Sequence, residues 1–176
     1  MGKQYKELTD EDMIFIKKQK IFYIASSSGK EVNLSPKGYD SIRIINNSKL
    51  IFLNLIGSGN RTNRDSENNG EFTLVFNSFE EESKILRIFC KANILKKDDI
   101  EYNQYINLFD VNHKIVNSIL EFNIYAVEIS CGDGIPYMEY KGERNILKDV
   151  LIKMSDENKL ESYKRKKQVP PNLQNI

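Results

Sequence analysis

The sequence predicts a mainly β protein with flanking helices, an α+β chain whose strands form a closed or half-closed antiparallel barrel. Three observations predict it. About seven strand-sized apolar runs follow one another, most of them separated by tight-turn residues. Helical patterns stand at both ends and between strands, and no internal repeat interrupts the series. The 176 residues suit one domain over 1–176 that buries a substantial core.

Thr9 before Asp10, Glu11 and Asp12 predicts a helix start, with Met13, Ile14 and Ile16 as its buried side. Residues 21–25 and 31–35 read as strands of a hairpin around Gly29. Pro36 is expected to break the ladder, which resumes over 39–45 and turns at Asn46 and Asn47. Strands follow over 50–56, 72–76 and 85–95, the last bounded by Glu80–Glu82 and by 96–99. Helices are expected over 98–108, with Ile100, Tyr105 and Leu108 on one side, and over 112–119, before a last long strand over 121–130. From Arg144 the residues Ile146, Leu147, Val150, Leu151 and Met154 share a helical face, so C-terminal helices span about 144–167. Pro170 and Pro171 end regular structure in a tail over 168–176.

Charge is nearly balanced, with 26 basic and 25 acidic residues, so no global positive field calls for nucleic acid. The KRKK run at 164–167 suits the end of a helix. Cys90 and Cys131 are far apart and outside any CxxC pair, which points to neither a zinc site nor a disulfide framework and is simplest in the reducing cytoplasm. Apolar stretches are too short for a membrane span, the polar start is unlike a signal peptide, and Lys6 stands where myristoylation needs Ser or Thr. The one histidine, His113, sits in a polar DVNHK segment and reads as a helix cap without catalytic role.

The stretch IFLNLIGSGNRTNRDSENNGEFTLVF at 51–76 reads as strand, loop, short helix and strand. Gly57 and Gly59 allow backbone N–H groups to turn inward, and Ser58, Asn60, Arg61 and Thr62 offer donors where the helix begins. That composition fits a phosphate cradle and fits an ordinary surface turn as well. It is not a P-loop, since no Gly-Lys-Ser/Thr follows, and Arg61 stands where a dinucleotide fingerprint needs its third glycine.

Four segments, VNLSPKGYDSIRI at 32–44, IFLNLIGSGNRT at 51–62, ILRIFCKANI at 85–94 and SCGDGIPYMEYKGERNIL at 130–147, resemble the pyridoxamine 5'-phosphate oxidase-like, FMN-binding split-barrel family. The resemblance implies a six-stranded split barrel that forms a homodimer, with FMN in clefts between the subunits. The positions it implies for the phosphate are Asn60, Arg61 and Thr62, with Lys37 and, more loosely, Ser35; Ser58 joins them from the loop, and Arg43 is a second basic candidate that otherwise faces solvent. Asn54 and Leu55 match a strand whose backbone runs beside the flavin, and Cys131, Gly132 and Pro136 would border the ring from the other side. Cys90 stands where relatives carry glycine, so packing beside the flavin is expected to differ there. The chain lacks the arginine-bearing C-terminal strand that grips pyridoxamine 5'-phosphate in the true oxidases, so another substrate is expected. The resemblance thus implies an FMN-dependent oxidoreductase of unassigned catalytic residues, with a non-enzymatic flavin- or haem-binding protein or a dimeric interaction module as the alternative on the same barrel.

Overall fold

Alternation of buried and half-exposed residues builds the sheet. In Phe22–Ser27 the side chains of Phe22, Ile24 and Ser26 are buried, and in Ile85–Leu95 those of Leu86, Ile88, Cys90 and Ala92 are. The computed structural model describes residues 2–29, 31–57 and 60–167. Its elements are β1 (Lys3–Tyr5), α1 (Asp10–Lys18), β2 (Phe22–Ser27), β3 (Asn33–Lys37), β4 (Ile42–Asn46), β5 (Lys49–Leu55), α2 (Arg61–Glu67), β6 (Glu71–Asn77), β7 (Ile85–Leu95), α3 (Ile100–Tyr105), β8 (Val116–Ser130), α4 (Ile146–Asp156) and α5 (Leu160–Lys167). All eight strands join one antiparallel sheet in the order β3-β2-β6-β7-β8-β5-β4, with β1 also paired to β8. The ends of that order, β3 and β4, are neighbours in sequence, and the sheet is open between them.

The inner face is a cluster of aromatics and aliphatics. Phe22 stacks on Phe76 at 5.2 Å and meets Phe52 edge-on at 5.9 Å. On the opposite face of β5 and β8, Ile51, Leu53, Val116 and Ile119 pack under Tyr102, Ile106 and Phe109. A third cluster seats α4 and α5 against the end of β5, where Leu151 and Leu160 cover Ile56 and Ile115.

Thr9 starts α1 through a capping box: the Asp12 N–H donates to Thr9 Oγ1 (3.2 Å) and the Thr9 N–H to Asp12 Oδ2 (3.1 Å). Asp12 is fully buried and also accepts from Tyr5 (2.6 Å) and Lys84 (3.0 Å), which ties β1, α1 and the start of β7 together. The buried side of α1 is Asp12, Phe15 and Ile16, spaced three and four apart, and Ile14 turns outward.

Several expected elements are corrected. Pro36 does not break the ladder: it lies within β3 opposite Tyr23, tolerated because β3 is an edge strand with no partner for the N–H that proline lacks. The next strand does not begin at residue 39, because Tyr39 and Asp40 adopt left-handed φ values of 63° and 51° in a turn, and β4 starts at Ile42. No helix covers 112–119. His113–Ile115 forms one 3-10 turn, and β8 begins at Val116 because β5 continues pairing with it there. The helix expected over 98–108 divides into α3 and a 3-10 turn at Ile106–Leu108. The polar segment Lys3–Tyr5 is a strand that its sequence does not announce. Pro170, Pro171 and the tail 168–176 lie outside the described residues.

The buried Asp12 carboxylate makes the fold acid-sensitive. For Asp12, burial alone would raise the pKa, but hydrogen bonds from Tyr5, Thr9 and Lys84 outweigh it and hold the group below the usual carboxylate range. A depressed carboxyl stabilises the fold above its unfolded pKa, and that contribution disappears as pH falls through the folded one. The fold is therefore expected to lose stability in acid, below about pH 4. Asp12→Asn should flatten that acid limb in denaturant titrations across pH and destabilise the protein by about 3 kcal/mol at pH 7.

Candidate functional site

The gap between the two edges of the sheet is a cleft of about 480 Å³. One wall is β3, the other is β5 where it runs past the end of β4, and the start of α2 and Leu147 of α4 complete it. Pairing of β5 with β4 ends at Phe52 opposite Ile42, and the Leu53 N–H still donates to Ser41 O (2.8 Å). Asn54 and Leu55 then continue along the cleft with β8 alone beside them.

Seven of the eight residues expected at the site line this one cavity: Ser35, Lys37, Asn54, Leu55, Asn60, Arg61 and Thr62. The eighth, Ser58, lies outside the described residues, as does Gly59. Arg43 is not part of it. Its guanidinium is held by Asp40 (2.8 Å) and Leu108 O (3.0 Å) and stacks on Phe109 at 4.7 Å, so of its two expected orientations the outward one is found. Cys131, Gly132 and Pro136 do not line the cleft either. Cys90 is a fully buried core residue opposite Phe72, away from the cleft, and burial with the nearby Glu71 charge pushes its thiol pKa up.

Residues that the sequence reading passed over hold the walls in place. Asn33 Nδ2 donates to Ser26 Oγ (3.1 Å) and to Thr62 Oγ1 (3.3 Å), joining β3 to β2 and α2. Asp65, fully buried, accepts from Ser26 Oγ (2.7 Å) and Ser28 Oγ (2.8 Å) and from Arg64. Burial would raise its pKa, and these hydrogen bonds together hold it below the usual carboxylate range. Gly70 lets the chain leave α2 against the hairpin, since a Cβ there would meet Ser27 O at 2.6 Å and Asp65 O at 2.7 Å. Asn54 Nδ2 donates to Asn63 Oδ1 (2.8 Å) and Ser118 Oγ (3.3 Å), so the Asn54 side chain braces β5 against α2 and β8. The sequence offers no local signal for Asn63 and Asp65, which stand in the wholly polar run NRTNRDSENNG at 60–70.

The cleft is electropositive by construction. Lys37 sits with its ammonium 5.5 Å from the centre of the Phe52 ring, and burial alone pushes its pKa below lysine's usual value. No ion-pair partner opposes that burial among the described residues. The Arg61 Nε–H is buried and has no hydrogen-bond acceptor, with Glu31 Oε1 at 3.6 Å. Asn60 precedes α2 in a left-handed conformation (φ 41°, ψ 26°) and its side chain caps none of the helix's first N–H groups. Lys37 and Arg61 therefore face one cavity, Lys37 without an ion-pair partner among the described residues and Arg61 with its Nε–H left unbonded, which suits an anionic ligand group.

A folded-state pKa lowered by burial means that the charged Lys37 opposes folding at neutral pH, and that this opposition fades as pH rises toward the unfolded value. Lys37→Met is expected to stabilise the ligand-free protein by about 1 kcal/mol at pH 7, read as a raised urea midpoint with an unchanged slope. Asn63→Ala is expected to do the reverse, by about 1–3 kcal/mol, because it leaves Asn54 and Ser118 without a shared partner.

No protein-family model matches the chain. In sequence it is 29% identical over 140 residues to the pyridoxamine 5'-phosphate oxidase family protein ustO of Aspergillus flavus, a match over 77% of this chain and 56% of that protein. The chain thus spans little more than half the length of that relative. In fold it is similar to a proposed pyridoxamine 5'-phosphate oxidase of Lactobacillus delbrueckii (TM-score 0.56, 16% identity, 70% of this chain and 98% of that one). HupZ of Group A Streptococcus matches with TM-score 0.57 and 16% identity over 75% of this chain and 99% of its own. An FAD binding protein of Mycobacterium smegmatis matches with TM-score 0.52 and 8% identity over 72% and 98%. The four motifs, the sequence match and the antiparallel sheet with its flanking helices agree, and this chain is similar to the pyridoxamine 5'-phosphate oxidase-like proteins and shares their fold.

Proposed function

We propose that the cleft binds FMN and that the protein is an FMN-dependent oxidoreductase acting as a homodimer, on a substrate other than pyridoxamine 5'-phosphate. The observation that carries the reading is the convergence of Lys37 and the acceptor-less Arg61 Nε–H on one cavity. The family name of the Aspergillus flavus relative and the FAD binding protein among the structural neighbours support a flavin. The single phosphate of FMN fits one pair of cations.

The cavity falls within the size range of small-molecule sites and pairs that cationic patch with apolar lining from Pro36, Phe52, Leu53, Leu55 and Leu147. Lys37 and Arg61 would hold the phosphate, with Thr62, Ser35 and Asn60 as neutral partners. Asn54 and Leu55 would run beside the ring through their backbone. Bound flavin supplies hydride or electron acceptance, which no amino-acid side chain provides. The chain's own part is to position the flavin, to exclude water with the apolar lining and to fix the phosphate without a metal. A haem held by histidine lacks support, because the only histidine, His113, is in the 3-10 turn before β8 and does not line the cleft.

Exposed Val32 and Leu34 at the open edge of the sheet give a second copy an apolar surface on which to close the cleft. Light scattering is expected to return twice the 20.5 kDa chain mass; a monomer at micromolar concentration would count against the shared cleft.

Purified protein is expected to carry or take up one FMN per chain, seen in its visible spectrum. Replacing Lys37 and Arg61 together by Ala should weaken FMN by about 100-fold or more, since each charge-assisted contact contributes about 1.5–3 kcal/mol. Riboflavin, which has no phosphate, should bind both proteins alike. Unchanged FMN affinity would remove the phosphate assignment, and reduction by NADH or NADPH no faster than with free FMN would remove the oxidoreductase.

A further inference from the structure

Glu31 stands beside the cleft, in the connection between β2 and β3, with its backbone carbonyl accepting Ser27 Oγ (3.1 Å). Its side chain is 24% exposed, and its Oε1 accepts a hydrogen bond from Arg64 Nη1 while lying 3.6 Å from Arg61 Nε. The two arginines differ. Arg64 also donates to Asp65 Oδ1 through Nε (3.0 Å) and Nη2 (2.8 Å), so it is fixed to a buried carboxylate. Arg61 has no second carboxylate among the described residues, and 3.6 Å is too long for a hydrogen bond. Glu31 attracts Arg61 without bonding it.

Charge counting makes the consequence specific. Arg61 and Arg64 carry two positive charges, Glu31 and Asp65 two negative ones, and these cancel. Lys37 alone leaves the cleft with one net positive charge. A singly charged ligand group is matched, and a phosphate dianion is not.

We propose that Glu31 is a resident counter-anion of the phosphate site, which holds Arg61 by charge in the ligand-free protein and lowers the preference of the site for a doubly charged over a singly charged phosphate. The inference rests on the phosphate reading above and adds a specificity-determining residue to it. A phosphate monoester that enters the cleft is attracted by the Arg61 guanidinium and meets the repulsion of Glu31. That repulsion doubles when the phosphate loses its second proton near pH 6. The gain in attraction from Lys37 and Arg61 on the same ionisation is then partly offset, so Glu31 makes affinity less dependent on ligand charge. No covalent step is involved.

Glu31→Gln tests this, because it keeps an oxygen to accept from Arg64 and removes only the charge. Full-length protein and variant would be titrated with FMN and with riboflavin at pH 5.5 and 7.5, and both would be checked by thermal melting. The expected result is FMN binding roughly five- to tenfold tighter in the variant at pH 7.5, a smaller gain at pH 5.5, and unchanged riboflavin binding. The gain from Glu31→Gln should persist in an Arg61→Ala background, because the repulsion it removes acts on the phosphate directly. FMN binding that is unchanged or weaker in the variant, in a protein that still prefers FMN to riboflavin, would overturn the role of Glu31 while leaving the phosphate site standing. Equal affinity of the unaltered protein for FMN and riboflavin, or no binding of either, would overturn the phosphate reading and this inference with it.

Discussion

A strand of fifteen residues must find backbone partners along its whole length, and β8 is the constraint on which the rest of this structure depends. On one side β7 pairs with it from Ile119 to Ser130. On the other, β5 pairs from Val116 to Asn123 and β1 from Val127 to Ile129, with the Ile124 N–H donating to Ser48 O between them. Two short elements divide one edge of a long strand. Because β5 is used up on the first half of β8, its own far end extends beyond β4, and the cleft opens there.

The walls of that cleft are set by polar contacts that have no ligand in them. Asp65 accepts from the β2 hairpin and from Arg64, Asn33 reaches Thr62, and Asn63 reaches Asn54 and Ser118. Asp65, Asn33, Thr62, Asn63 and Ser118 are buried and partnered, as a rigid wall requires. Lys37 and Arg61 break the pattern, one half-buried without a counter-ion among the described residues and the other with a buried donor left unpaired. Polar groups that oppose folding persist where the binding of something else relieves them, and here both lie on the same cavity.

How much of this the sequence discloses follows from the range of the interactions concerned. Strands with clean alternation, such as β7, appear at their observed bounds of 85–95, and the start of α1 is legible in Thr9 and its acidic followers. Local rules fail where a distant partner decides. Pro36 reads as a breaker until β3 is known to be an edge, and 116–119 reads as helix until β5 is laid beside it. β1 is three polar-flanked residues that only β8 makes a strand. The lining of the cleft was legible because the motifs place it in two short stretches, 33–37 and 54–62. Its bracing was not, since Asp65 meets Ser26, Asn33 meets Thr62 and Asn63 meets Ser118 across separations of 29 to 55 residues.

The same reasoning separates what the barrel requires from what the cleft adds. Aromatic stacking of Phe22, Phe52 and Phe76 and the Asp12 capping network would hold the fold whatever occupied the gap. Neither involves the start of α2. The charged quartet of Glu31, Arg61, Arg64 and Asp65 lies instead at that start, where the hairpin turn and the helix meet. A structural ion-pair network would pair every donor, as Arg64 does. Arg61, one turn earlier and turned to the cavity, departs from that rule, and the departure is what distinguishes a binding element from a brace.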